Sequence, residues 1–292
     1  MINTYFIAGH AFSVVGGDLP LFVEEICGFD RFKVSNCPRE WCVEEVEAIA
    51  LPDSLMPYVF DFSDGSVVCA LSSDADHCYF SMREKDGDAA FLLLRHELGS
   101  ATVELSIAEH LDDRASYLRF ALWMAFCFVA VPHGVVPIHA STIVFQGRSV
   151  LFLGESGTGK STHTKLWKRY IPDAWLLNDD SPLLSVGAEG VLAHGSPWSG
   201  KTHCYHNAAF PVAGAVRLSQ APHNRITRLA TLQAFASLQP SCPPALFRIA
   251  DYADAMVEIL SQALGQIPVF HLECLPDADA ARLSCHTLFP SD

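Results

Sequence analysis

The chain has 292 residues, half of them apolar and 11% aromatic, enough for a sizeable core in one large or two modest domains. Its formal charge of −14 excludes an ordinary nucleic-acid binder, which needs a basic face toward the phosphate backbone. That charge is uneven: residues 1–113 hold 21 acidic and 6 basic side chains, whereas residues 114–292 hold 12 and 13.

The break in charge predicts two units, 1–113 and 114–292, with different roles. An acidic surface keeps the first unit soluble and also suits long-range steering of a basic partner. In the first hundred residues, "FVEEI", "VVCAL", "HCYFSM", "AAFLLL" and "ATVELSI" read as strands, separated by the turns "FSDG", "EKDGD" and "ELGS". They predict a smaller, mainly antiparallel β domain that carries no legible chemistry. "DDRASYLRFALWMAFCFVAV" then reads as a helix, with Asp112, Asp113 and Ser116 as candidate caps and Pro132 beyond its end. It is apolar nearly all round, which predicts burial.

None of the ten cysteines stands in a C-x-x-C pair, and Cys69, Cys127 and Cys274 sit in apolar runs, where cysteine is a small buried hydrophobe. The opening "MINTYFIAGH" lacks a basic n-region, and the longest apolar run, Phe120 to Val131, is short for a bilayer span. The expectation is a reduced, cytoplasmic protein with no membrane or nucleic-acid partner.

From Ile138 the pattern changes. "IHASTIVF", a Gln146-Gly147 turn and "RSVLFL" read as a hairpin that runs into the loop "GESGTGKS". A hairpin partner beside the loop strand predicts a mixed α/β sheet rather than a purely parallel one. A helix over 160–170 should follow, then a strand "AWLLN" ending at Asp179-Asp180. Further strands are expected at "SPLLSV", "GVLAHG", "VAGAVRL" and "PVFHLEC", with helices near 230–238 and 251–265.

The loop fits G-x-x-x-x-G-K-[ST], with Gly154, Glu155, Ser156, Gly157, Thr158, Gly159, Lys160, Ser161 and Thr162 as candidate nucleotide-binding residues. Glycines let backbone N–H groups converge on phosphate oxygens, and the following helix adds its positive dipole end. Lys160 is placed to neutralise the β/γ oxygens, and Ser161 to ligate Mg2+. Asp179 and Asp180 follow Lys160 by 19 and 20 residues, at a strand end near the loop. Two carboxylates there can divide two tasks, one holding Mg2+ and the other accepting the proton of an attacking hydroxyl. Asp180 is the carboxylate paired with Ser161 as the candidate metal set. Neighbouring strand residues point oppositely, so a turn or bulge is needed for both to face the site.

His139 opens the hairpin strand that feeds the loop. "HGSPWSGK", His194 to Lys201, could form a second anion-contacting loop through Ser199, Gly200 and Lys201, or an ordinary turn with Trp198 packed down. His203, Cys204 and His206, with His194 as the one plausible addition, are a weak zinc set without a second ligand pair.

Taken together, "IHAS", "GESGTGKST" and "NDD" resemble the catalytic domain of HPr serine kinase/phosphorylase, in the superfamily that also holds the phosphoenolpyruvate carboxykinases. "GSPWSGK", "RLSQAPHNRI" and "PVFHLECLPDADAA" resemble a bacterial group of HPr-kinase-like proteins, and the likeness covers about residues 135–290. The resemblance implies ATP and Mg2+ held by Lys160 and Ser161, one Asp of the pair as proton acceptor, and His139 assisting at the phosphate. It implies a P-loop kinase domain acting on a protein, peptide or small-molecule hydroxyl, and it is compatible with a homo-oligomer. The family's "EIRG"-type segment, tied to its phosphorylase function, has no counterpart after Asp180, so neither phosphorolysis nor HPr as acceptor follows. A nucleotide-binding regulator without transfer is the alternative from another class, and a carboxykinase-like decarboxylase a third.

Overall fold

The computed structural model describes residues 2–63, 65–200 and 202–290. The chain is mixed α/β and forms two compact units, residues 1–133 with 245–253, and residues 134–244 with 254–292. The sequence boundary at 113/114 coincides with the start of a helix that the first unit contains.

The first unit is a nine-stranded sheet. Its strands are β1 (Ile2–Ile7), β2 (His10–Val15), β3 (Lys33–Val34), β4 (Trp41–Glu45), β5 (Tyr58–Phe62), β6 (Val67–Ser73), β7 (His77–Glu84), β8 (Ala90–Glu97) and β9 (Thr102–Ile107), in spatial order 3-1-2-4-9-8-7-6-5. Neighbours run antiparallel except β2–β4 and β4–β9, so the sheet is mixed. The alternating runs from Val67 onward form the predicted meander. "FVEEI" does not form a strand. It lies in and just past helix α1 (Leu19–Glu24), where Pro20 presets the first turn and Leu19, Pro20 and Val23 bury one face. Helix α2 (Arg114–Ala130) packs against β7, β8 and α1. With the turn after it, the helical stretch Arg114–His133 has the length and hydropathy to cross a membrane, and 61% of its most apolar window is buried within the protein.

The second unit carries the loop. Its strands are β10 (Val135–Pro137), β11 (Ala140–Phe145), β12 (Arg148–Leu153), β13 (Trp175–Asp180), β14 (Leu183–Gly187), β15 (Gly190–His194), β16 (Ala209–Gln220), β17 (Arg225–Arg228) and β18 (Val269–Cys274). The order along the sheet is 10-14-15-16-12-11-13, and β18 pairs β16 on one side and β17 on the other. The Gln146-Gly147 hairpin forms as expected, with positive φ of 49° and 71° at its two turn residues. β12 is antiparallel to β11 and parallel to β16, so the loop strand sits in a mixed sheet.

Register fixes what meets at one sheet edge. Ala140 lies opposite both Leu153 and Asp180, Leu153 opposite Arg217, and Arg217 opposite His271. The start of β11 and the ends of β12, β13, β16 and β18 therefore share the edge where ligands bind in open α/β sheets.

Helices α3 (Lys160–Tyr170), α4 (Thr231–Leu238), α5 (Ala250–Leu264) and α6 (Ala278–Leu288) complete the element order. α3 packs on β11, β12, β13 and α6 over a core of Phe152, Trp167, Leu176, Val216 and Leu272. Burying each such side chain contributes about 1.5–3 kcal/mol. Ser284 on α6 pins α3: its hydroxyl accepts from Trp167 Nε1 at 2.9 Å and lies 3.0 Å from His163 Nε2. Burial lowers the His163 pKa to about 4, so this histidine is a neutral structural group.

Candidate active site

The loop leaves β12 at Gly154, whose φ of 152° suits glycine. A Cβ there would come within 2.4 Å of Thr158 Oγ1, which donates to Glu155 O at 2.8 Å and closes the loop. At the start of α3 the N–H groups of Lys160, Ser161 and Thr162 have no intrahelical acceptor, and His163 N–H is the first to close, on Gly159 O at 2.8 Å. Open N–H donors and a positive dipole end are the groups that suit an anion. Lys160 Nζ folds over the loop and donates to Gly154 O at 2.8 Å and Glu155 O at 3.3 Å. Burial lowers the Lys160 pKa, opposed by the Asp180 and Asp179 carboxylates.

The two aspartates have separate partners. Asp179 is buried and receives Ser161 Oγ on Oδ1 at 3.0 Å and Thr202 Oγ1 on Oδ2 at 2.7 Å. Asp180 turns the other way, with Oδ1 3.6 Å from His139 Nε2. Of the two carboxylates, Asp179 rather than the Asp180 expected beside Ser161 as a metal set faces the Ser161 hydroxyl. The alternation of side chains along β13 explains it, and a φ of 143° at Asp180 re-aims that carboxylate toward the loop edge.

Desolvation pushes the Asp180 carboxyl above its ordinary range and Asp179 adds to it, while His139 and Lys160 oppose it. Burial, then the Lys160 charge, lowers His139, with Asp180 opposing. Both shifts disfavour the charged forms: the Asp180 carboxyl holds its proton more tightly than usual and the His139 imidazole gives its proton up more readily.

The "HGSPWSGK" segment buttresses the carboxylates. Gly200 N–H donates to Asp179 O at 2.7 Å, and Ser199 bridges to Asp180 across a short antiparallel contact. A Cβ at Gly200 would lie 3.0 Å from Asp179 O, so a side chain would push the segment off. Ser199 Oγ donates to Thr202 O at 2.7 Å. Lys201 lies outside the described residues. Two supports escaped the sequence reading. Asn178, fully buried, aims its amide at Ser196 and Trp198 and accepts Ser181 N–H at 2.9 Å. Thr202, beside the lysine, has no pattern of its own in the sequence. A buried amide inside "LLNDD" was the available signal for the first.

The zinc set does not assemble. Cys204 is buried and donates to Leu176 O, and among the described residues no group of three or more His, Cys, Asp or Glu is placed to hold a metal.

Beside the loop opens a cavity of about 680 Å³, lined by Gly157 and Thr162 together with Leu166, Leu218, Cys274 and Pro276. Gln220, whose amide donates to Gly157 O at 3.3 Å, forms its polar rim.

No protein-family model matches the chain. The chain is similar to the glycine–tRNA ligase beta subunit of Leptothrix cholodnii, 28% identical over 137 residues that cover 44% of this chain. It spans 18% of that relative's length.

Proposed function

We propose that the second unit is an ATP- and Mg2+-dependent kinase domain of HPr-kinase-like type that transfers the γ-phosphate to a hydroxyl. The acceptor is a serine of a protein or peptide, or a small-molecule alcohol. One observation carries this reading: the phosphate loop, Lys160, Ser161, Asp179, Asp180 and His139 meet at one sheet edge. A loop that only bound nucleotide would need a metal carboxylate and no second, basic one.

Ser161 Oγ and Asp179 Oδ1, 3.0 Å apart, are hard oxygen donors and fit Mg2+, which when bound neutralises charge on the β- and γ-phosphates. Lys160 and the α3 N–H groups hold the β/γ oxygens. Asp180 takes the acceptor hydroxyl proton as the acceptor oxygen bonds to the γ-phosphorus. The bond from phosphorus to the β,γ-bridging oxygen breaks, and ADP leaves with the electron pair. His139 lies beside that carboxylate, its Nε2 3.6 Å from Asp180 Oδ1, and as a neutral imidazole it gives its single N–H to the transferring phosphate. The cavity lined by Leu166, Leu218 and Pro276 suits a flat aromatic base. None of the ten cysteines is in a disulfide, which suits a reducing, cytoplasmic setting.

The test is MgATP binding by calorimetry, followed by label transfer from γ-labelled ATP into cell extract. Lys160→Ala should abolish both. MgATP binding that survives Lys160→Ala unchanged, or tight binding with no acceptor-dependent transfer, would count against the kinase assignment.

A further inference from the structure

On the side of the loop away from His139 and Asp180, β16 brings Arg217 to the same edge, directly opposite Leu153. Its guanidinium is held at two corners. Nη1 donates to Ser237 O at 3.1 Å, and Nη2 meets Glu155 Oε1 at 3.2 Å. Glu155 is the second residue of the loop, and its own carbonyl accepts from Lys160. The two cations therefore converge on one loop residue, Lys160 at its carbonyl and Arg217 at its carboxylate. Next to them lies a second cavity of about 460 Å³, lined by loop residues 155–158 with Arg217, Leu218, Ser219 and His271.

The ion pair is lopsided. The Arg217 side chain is 24% exposed and partly anchored, whereas the Glu155 side chain is 76% exposed and has solvent as its alternative. An exposed carboxylate–guanidinium pair contributes little net stability. A phosphate offers the same guanidinium more charge and a bidentate geometry, and such charge-assisted hydrogen bonds are the stronger kind. A carboxylate at the mouth of a phosphate loop, resting on an arginine already fixed by a backbone carbonyl, has the form of a placeholder.

We infer that Glu155 stands in for nucleotide phosphate, and that Arg217 exchanges it for a phosphate oxygen of the bound nucleoside triphosphate. Arg217 is then a third positive contact to the polyphosphate, alongside Lys160 and the α3 N–H groups. Glu155 is a competing internal anion that sets affinity rather than a ligand. The inference rests on nucleotide binding at the loop, and its test separates the two.

The experiment measures MgATP affinity by calorimetry for wild type, Glu155→Gln, Arg217→Gln and the double variant, with melting temperatures as the folding control. Glu155→Gln removes the competitor and should tighten MgATP binding several-fold while leaving the nucleotide-free protein no more stable. Arg217→Gln should weaken binding roughly tenfold, and Glu155→Gln should have no further effect in that background. If Arg217→Gln unfolds the chain, Arg217→Lys substitutes: it keeps charge without the planar fork and should show partial loss. Wild type that binds MgATP, with Glu155→Gln equal to or weaker than wild type, would overturn the exchange and leave the kinase assignment standing. Wild type that binds no MgATP would overturn both.

Discussion

Asp180 has a positive φ of 143°, a conformation that costs a non-glycine residue roughly 1–3 kcal/mol. Asp180→Gly relieves that strain and loses about 0.5–1 kcal/mol to unfolded-chain entropy. The carboxylate's desolvation is also removed. Because the folded-state pKa of Asp180 is raised, the folded state holds its proton more tightly than the unfolded chain does, so wild-type stability falls as pH rises through that value. The variant escapes this loss, and its advantage should be larger at pH 7 than at pH 4. The net gain at neutral pH is on the order of 1–2 kcal/mol, a rise of a few degrees in melting temperature. Differential scanning calorimetry at both pH values reads it, with label transfer measured on the same protein. A stabilised, still-folded protein that no longer transfers phosphate is the expected outcome. A variant that melts lower than wild type at pH 7 would show that Asp180 is held for structure, and the argument from strain would fail.

The pH profile of transfer should lose its acidic limb above the usual carboxylate range, because Asp180 must be ionised to act as base and its pKa is raised. A limb at or below about 4 would place the base elsewhere. Ser284→Ala leaves the buried Trp167 Nε1 without its acceptor and should destabilise the second unit by about 1–3 kcal/mol in urea unfolding. An unchanged midpoint would mean that α3 is held by apolar packing alone.

The glycine-rich loop, its hairpin and the strand leading to Asp179 were legible because each has a local signal: glycines at fixed spacing, a Gln-Gly turn, and an apolar run that ends in acid. Local patterning also recovered the Val67–Ile107 meander. "FVEEI" failed because five residues of alternating character serve equally as one helical turn, and Pro20 upstream decides the matter. The parallel pairings β2–β4 and β4–β9 joined segments with no mutual sequence signal. In the site, residue types gave the participants but not their partners. Whether Ser161 meets Asp179 or Asp180 depends on the register and side-chain alternation of β13, and the support from Asn178 and Thr202 depends on a segment twenty residues away. Arg217 was written into an apolar strand, "VAGAVRL", and a lone charge there marks the edge where the strand leaves the core.

The central claim is tested most directly by a single-turnover experiment with γ-labelled ATP, Mg2+ and extract or serine-containing peptides, comparing wild type with Asp180→Asn at matched nucleotide occupancy. The account predicts labelled acceptor with wild type and a loss of at least about a hundredfold in transfer rate with Asp180→Asn, while MgATP affinity stays close to wild type. Equal transfer by the two proteins would contradict it.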